Sequence, residues 1–224
     1  MTAFLIDSNI IAQWVLSNNT LDIVSKELDF PDEMLKAYRN RYSNSIELVN
    51  KILKTKLSKE REFLTYNFNL FEVVKALKDE IRTMYLFKTG VPLAKWNSRG
   101  EHAKIEVNDK MIEDVYNSYN RAQDTLFAEE NIRIISHPLT KTDDDWKDYY
   151  SLYSLLMLRI PHLLTQDAMI ISACLYNEID CLVTKDEDLK KMEDKISKAL
   201  NGEDFKFKII DPGNPSIWNE RDGS

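Results

Sequence analysis

The chain has 224 residues, of which 43% are hydrophobic, and its 30 Lys and Arg against 37 Asp and Glu give a formal net charge of −7. Aromatic and aliphatic residues occur throughout, which excludes an intrinsically disordered chain. The five glycines form no phosphate-binding cluster, so a dinucleotide fingerprint and a P-loop are excluded, and the sequence has no G-x-S-x-G motif of the serine hydrolases.

The two cysteines, Cys174 and Cys181, form neither a disulfide framework nor a zinc-type pair, and both lie in apolar segments. Buried thiols of this kind are typical of a reducing cytoplasm. No apolar run approaches the ~20 residues that cross a bilayer, and Asp7 interrupts any signal core at the N-terminus. We therefore expect a soluble, cytoplasmic protein without a membrane partner.

The first half of the chain is predicted to begin with a short buried strand at residues 3–6, followed by a helix at 10–16 that Ser8 or Asn9 caps. Pro31 and the acids after it open one long helix to about residue 57, because Pro and acidic side chains suit a first turn. A brief strand at 63–65 and a helix at 70–87, preceded by Asn69, come next. Residues 88–104 carry Gly90, Pro92 and Gly100 and are predicted to be an inserted loop.

The second half alternates helices and strands more regularly. We expect a helix at 107–127, a strand at 132–135, a helix from Thr142 to 158, and a helix at 167–176 that Thr165 caps. A buried strand at 181–184, a helix at 186–200 ended by Asn201 and Gly202, a strand at 205–210 and an irregular tail complete the chain. This alternation predicts a single α/β domain with a central parallel sheet of about five strands, helices on both faces and inserted helices.

Four acidic residues stand at positions where such a sheet forms sites. Asp7 directly follows the first strand and Asp186 follows the strand at 181–184, and sites of open parallel sheets lie beyond the carboxyl ends of their strands. If those strands are neighbours, the two carboxylates are close. Asp167 lies in the first turn of the preceding helix, and Glu72 lies in a helix among apolar residues. Each acid alone also has a plain structural interpretation, as a helix cap, a dipole partner or a solvated side chain.

Four segments resemble the motifs of PIN-domain nucleases. Phe4-Leu5-Ile6-Asp7-Ser8-Asn9 is similar to their apolar strand ending in Asp-(Thr/Ser)-Asn, and Leu70-Phe71-Glu72-Val73 is similar to their helical Glu. The helix that starts Asp167-Ala168 and the segment Leu182-Val183-Thr184-Lys185-Asp186-Glu187-Asp188-Leu189 resemble their last two motifs. The resemblance covers residues 1–17, about 62–86 and about 130–210. It leaves 31–57 and 88–127 as elaborations and 211–224 as a tail.

The resemblance implies a PIN-like fold and a nuclease that hydrolyses RNA, most simply an endoribonuclease that leaves a 3′-hydroxyl and a 5′-phosphate. Asp7, Glu72, Asp167 and Asp186 would form the catalytic, metal-binding pocket, with Asp188 as an auxiliary acid and with Ser8, Asn9 and Thr184 as groups that orient the carboxylates or water. Carboxylate oxygens suit Mg²⁺ or Mn²⁺. Such domains are often toxins with an antitoxin partner, usually dimeric, and the added helices equally suit an RNA-processing enzyme.

A candidate RNA-binding segment lies at residues 88–104, which carry a local charge of +3 in an acidic chain. Basic and stackable side chains together are typical of single-strand binding. The candidates are Lys88, Lys95, Trp96, Arg99 and Lys104. The alternative is a solvated loop with one packed Trp.

Two other functions stay open at this point. An inactive PIN fold could act as a scaffold for protein binding. A haloacid-dehalogenase-like phosphatase also has a nucleophilic Asp after its first strand, but it needs a second Asp two residues later, where this chain has Asn9.

Overall fold

The computed structural model describes residues 1–55, 60–96, 98–128, 131–136, 143–200 and 206–218, apart from the side chains of residues 19, 93, 99 and 143–146. The described residues form one five-stranded sheet of order β3-β2-β1-β4-β5, in which every pairing is parallel. Its strands are β1 (Thr2–Ile6), β2 (Arg61–Tyr66), β3 (Arg133–Ile135), β4 (Cys181–Val183) and β5 (Lys208–Ile210). The predicted α/β class and strand number are confirmed.

Helices connect the strands and cover both faces of the sheet. They are α1 (Ser8–Val15), α2 (Leu21–Leu28), α3 (Asp32–Arg41), α4 (Ser43–Lys54), α5 (Asn67–Lys88), α6 (Arg99–Ala103), α7 (Asp109–Phe127), α8 (Asp143–Arg159), α9 (Thr165–Tyr176), α10 (Glu187–Lys190) and α11 (Glu193–Ala199). A π-helical segment, Leu16–Thr20, joins α1 to α2, and single 3₁₀ turns lie at Leu93–Lys95 and Pro215–Ile217. None of these helices is long and apolar enough to cross a membrane.

Alternation along β1 divides the core into two layers, because successive strand residues point to opposite faces. Phe4 and Ile6 pack with α1, α2, α4, α5 and α7 on one face. Leu5 packs with α8, α9 and α11 on the other face. The central strand is thus buried on both sides, as its unbroken apolar sequence predicts.

Several predicted elements are divided or displaced. The long helix predicted at 31–57 is two helices, because Tyr42 leaves the helical conformation (φ −109°, ψ 14°) between α3 and α4. The predicted helix at 186–200 is likewise two short helices, α10 and α11, and α2 is a helix that the sequence reading missed. Helix α5 begins at Asn67, so Asn69 lies inside its first turn. Residues 88–104 contain two short helical pieces and are not an open loop.

The C-terminal segment is less irregular than predicted as far as the structure describes it. Trp218 packs against Phe63 of β2, with 5.7 Å between ring centroids, and Arg61 donates a hydrogen bond to the Trp218 carbonyl at 2.8 Å. The predicted helix end at 201–202 and the predicted strand start at 205 lie outside the described residues, as does Thr142. Both cysteines are buried, as predicted.

Candidate active site

The candidate site lies where β1 and β4 end. The two strands are adjacent and parallel, with Leu5 opposite Leu182, so their carboxyl ends reach the same edge of the sheet. Asp7 follows β1, and its backbone N–H donates to the Val183 carbonyl at 3.1 Å. The strands β1 and β4 are therefore neighbours, and this brings Asp7 close to the loop that follows β4.

Asp7 is the cap of α1, a role predicted for Ser8 or Asn9. Its backbone is extended (φ −70°, ψ 153°), and its Oδ1 accepts from the Ser8 N–H at 2.7 Å. Ser8 and Asn9 are already in the first helical turn, where their own side chains turn back to the Asp7 carboxylate. Only 5% of Asp7 is exposed, so this carboxylate depends on protein hydrogen bonds.

Thr184 and Asn9 fix the other oxygen of Asp7. Asp7 Oδ2 accepts from Thr184 Oγ1 at 2.6 Å and from Asn9 Nδ2 at 2.8 Å. The fully buried Thr184 hydroxyl accepts in turn from Asn9 Nδ2 at 2.9 Å and from the Asp186 N–H at 3.0 Å. Asn9 Oδ1 accepts from the Lys185 N–H at 3.3 Å. These bonds hold the ends of β1 and β4 and the side chain of Asp7 in one arrangement.

Ser8 joins Asp7 to Glu72. Its hydroxyl lies 3.0 Å from Glu72 Oε2 and 3.2 Å from Asp7 Oδ1. A hydroxyl has one hydrogen to donate, so it can satisfy only one of the two carboxylates at a time. The partly buried Glu72, on α5, therefore lies beside Asp7 with their negative charges incompletely compensated.

Asp167 and Asp186 complete the set from the other side. Asp167, in the first turn of α9, is partly buried. Burial, together with the negative charges of Asp186 and Glu72, raises its pKa to about 6. Asp186 is exposed and caps α10, where its Oδ1 accepts from the N–H groups of Asp188 at 2.9 Å and Leu189 at 3.0 Å.

The pKa of Asp7 is raised in the same way, from its ordinary value of 3.8 to about 6. Burial is the largest cause, the hydrogen bonds from Thr184 and Ser8 oppose it, and the charge of Glu72 adds to it. The four acids are thus linked to one another. Ser8 joins Asp7 to Glu72, and Thr184 joins Asp7 to the Asp186 backbone. Asp167 interacts electrostatically with Glu72 and Asp186.

The donor types of this cluster fit a hard divalent cation, which prefers carboxylate oxygens. Within the part of the chain that the structure describes, however, no three His, Cys, Asp or Glu side chains are gathered closely enough to be ready ligands of one ion. The carboxylates are near enough to interact electrostatically and are not arranged as a finished coordination shell. A cation would therefore have to draw them together.

Asp188 does not belong to the cluster. Its side chain is 88% exposed and forms an ion pair with Lys191 at 3.1 Å. Its backbone N–H, and not its carboxylate, contacts Asp186. The structure thus gives no contact that supports an auxiliary role for this acid.

The segment 88–104 is remote from the acids, and Trp96 is packed. Its indole N–H donates to the Val91 carbonyl at 2.8 Å, and its ring meets Phe87 edge-on, with centroids 5.6 Å apart. Glu72 and Lys88 lie on the same helix, α5, and are separated by roughly 24 Å along its axis, because an α-helix rises about 1.5 Å per residue. Trp96 is thus packed and partly buried, and its role in RNA binding stays a prediction.

The basic side chains of this segment differ in their contacts. Lys104 pairs with Glu101 at 2.9 Å, and Lys88 donates to the Asp29 carbonyl at 3.4 Å. Lys95 is exposed, and the side chain of Arg99 lies outside the described residues. No contact connects the described ones to the acidic cluster.

Two buried polar residues that support the site were not singled out from the sequence. Thr65 donates to the Ile6 carbonyl at 3.1 Å, and Asn69 donates to the same carbonyl at 3.4 Å and to Thr65 Oγ1 at 3.3 Å. They tie β2 and α5 to the residue before Asp7. The sequence feature that indicates these two residues is their polar character among apolar and aromatic neighbours.

Comparison of this chain with protein-family models, with curated proteins and with solved structures finds no match.

Proposed function

We propose that this chain is a divalent-cation-dependent nuclease that hydrolyses RNA phosphodiester bonds, acting as an endoribonuclease. The observation that carries the proposal is the linked set of four acids at the carboxyl ends of β1 and β4. Asp7, Glu72, Asp167 and Asp186 come from four separate segments of the chain. Ser8 links Asp7 to Glu72, Thr184 links Asp7 to the backbone of Asp186, and the charges of Glu72 and Asp186 raise the pKa of Asp167. Helix capping alone explains Asp186 and Asp7, but it does not explain Glu72 beside them.

The cation would be held by Glu72, Asp167 and Asp186, together with Asp7 Oδ1. Asp186 uses Oδ1 for capping, and Glu72 uses Oε2 for Ser8, so each has a second oxygen for a ligand. A bound Mg²⁺ or Mn²⁺ would neutralise a phosphodiester, activate water and stabilise the leaving oxygen. An acidic site can in this way accept an anionic substrate.

The protein's own contribution is to fix Asp7 and to keep the other acids close to it. Thr184 and Asn9 occupy Asp7 Oδ2 completely, which leaves Oδ1, shared with Ser8, to face Glu72. In the metal-free protein, the raised pKa values of Asp7 and Asp167 let them hold protons near pH 6, which relieves the repulsion. Cation binding would then release those protons.

RNA is the proposed substrate because the four motifs resemble those of PIN-domain nucleases. Each of the four motif acids takes part in the cluster, and Ser8, Asn9 and Thr184 contact Asp7 as orienting groups should. This agreement between motif and contact supports the resemblance. An antitoxin or another regulatory protein partner is part of the same proposal.

The proposal is tested by incubating a 5′-labelled single-stranded RNA with the purified protein in Mg²⁺, in Mn²⁺ and in EDTA. We expect cleavage with either metal, products with 5′-phosphate and 3′-hydroxyl ends, and none in EDTA. The matched control is Glu72→Gln protein, which keeps the hydrogen-bond acceptor for Ser8 but loses the charge. Cleavage that persists in EDTA or in this variant would contradict the proposal, and a folded protein without any cleavage would favour the inactive scaffold.

The phosphatase alternative loses support at Asn9. A second acid two residues after the nucleophile is needed there, and the Asn9 amide is instead committed to Asp7, Thr184 and the Lys185 backbone. It therefore orients groups and has no proton to donate as an acid.

A further inference from the structure

An apolar groove runs between α5 and α7, on a part of the molecule that the acidic cluster does not use. The two helices are antiparallel. Tyr119, late in α7, donates to the carbonyl of Leu70, early in α5, at 3.4 Å, whereas Tyr85, late in α5, contacts Met111 Sδ, early in α7, at 3.6 Å. Glu72 is not among the residues that line the groove.

The groove has a volume of about 430 Å³ and is lined almost entirely by apolar side chains. Its rim is unusually exposed for such residues: Val74 is 48% exposed, Ile112 52% and Tyr116 61%. Its floor is buried and consists of Leu77, Ile81, Met111 and Val115. A concave apolar site of a few hundred Å³ with a few polar groups is the usual form of a small-molecule pocket.

Among the described residues, the charged side chains of the wall are both cationic. Lys78 and Arg82, one turn apart on α5, both line the groove, and no acidic side chain does. Neither forms an ion pair or a hydrogen bond within the described part of the chain, and Arg82 Nε is buried without any partner. Lys75 on the same helix differs, because it pairs with Asp79 at 2.9 Å.

We propose that this groove binds a small amphipathic anion, with an apolar chain along the floor and a carboxylate or similar acidic group at Lys78 and Arg82. Lys78 and Arg82 are charged groups in a mostly apolar wall and have no anionic partner among the described residues, so this wall favours an anion. An anionic head group would accept charge-assisted hydrogen bonds from Lys78 and Arg82, while its apolar chain would cover the exposed apolar rim. The two unpaired cations would repel a cationic head group, so a cationic amphiphile of the same chain length should not bind. This inference does not depend on the proposed nuclease activity.

The test is calorimetric titration of the full-length protein with dodecanoate below its micelle concentration. We expect saturable binding of dodecanoate, about tenfold weaker binding of decanoate because two methylenes are lost, and no binding of dodecyltrimethylammonium. Lys78→Gln and Arg82→Gln should each weaken dodecanoate binding by about tenfold. The matched control is Lys75→Gln, which removes a paired cation outside the groove and should leave the affinity unchanged.

Circular dichroism melts of each variant establish that the fold is retained, and Ile112→Trp, which fills the groove without altering its charge, should also block binding. Equal binding of the anionic and cationic chains would overturn the proposal. So would an affinity that is unchanged in Lys78→Gln and Arg82→Gln, or the absence of dodecanoate binding to the wild-type protein.

Discussion

Asp7→Asn is expected to abolish RNA cleavage without unfolding the protein. The ends of β1 and β4 hold the Asp7 carboxylate in a fixed orientation. Without this carboxylate, a cation and a water beside it are no longer held in position. Asparagine keeps the size of the side chain and can still accept from the Ser8 N–H, as Asp7 does at 2.7 Å. We expect a loss of at least ~10³-fold in the cleavage rate, the scale on which preorganised electrostatic groups act.

The same variant should be more stable than the wild type at pH 7.5 in EDTA. Because burial raises the pKa of Asp7 from 3.8 to about 6, its protonated form stabilises the fold below about pH 4. That contribution is lost as the pH rises through about 6. The unfolding free energy of Asp7→Asn should therefore exceed that of the wild type above pH 6, by about 1–2 kcal/mol after allowing for weaker hydrogen bonds. This difference should disappear below pH 4. Urea denaturation at several pH values measures it.

The matched control for this prediction is Asp188→Asn, which removes an exposed carboxylate two residues from Asp186. Among the described residues its carboxylate pairs with the exposed Lys191, so cleavage and stability should stay close to wild type. Full activity of Asp7→Asn, or an equal loss of activity in Asp188→Asn, would contradict the assignment of the site.

Thr184→Val should damage the site through its geometry. Valine has nearly the shape of threonine but leaves Asp7 Oδ2, Asn9 Nδ2 and the Asp186 N–H without the hydroxyl that contacts all three. The hydrogen bond from Thr184 lowers the pKa of Asp7, so its loss should raise that pKa further. We expect a loss of about 2–3 kcal/mol in unfolding free energy at pH 7.5 and a 10–100-fold slower cleavage.

The control separates a site effect from simple destabilisation. Thr20 is also fully buried, and its hydroxyl lies 3.4 Å from Ser118 Oγ, away from the acids. Thr20→Val should lower stability without slowing cleavage at a temperature where it is folded. If both variants slow cleavage equally, the Thr184 hydroxyl has no special role in orienting Asp7.

The sheet and the acids could be predicted because their signals are local. Short apolar runs at 3–6 and 181–184 favour buried strands, and Asp7 and Asp186 then lie at the same edge of the sheet if these strands pair, as they do. Glu72 was identified from its motif, whereas its contact with Ser8 depends on how α5 packs against α1, which no local pattern fixes.

The undivided helix predicted at 31–57 has a physical cause: helical periodicity continues through a change of backbone direction. Tyr38, Tyr42 and Ile46 keep helical spacing, although the chain leaves the helix at Tyr42. Caps were misplaced because several side chains near a helix start can accept the same N–H groups, and tertiary structure selects among them. The packing of Trp96 could not be decided from the sequence because its partner, Phe87, belongs to another element.

The most direct test of the account is an anomalous difference map from crystals of the protein soaked in Mn²⁺ at the concentration that supports cleavage. We expect a peak among the carboxylates of Asp7, Glu72, Asp167 and Asp186, with at least three of these side chains drawn toward it, and no such peak in Asp7→Asn crystals. A map without a peak there, or with its strongest peak at another place on the molecule, would contradict it.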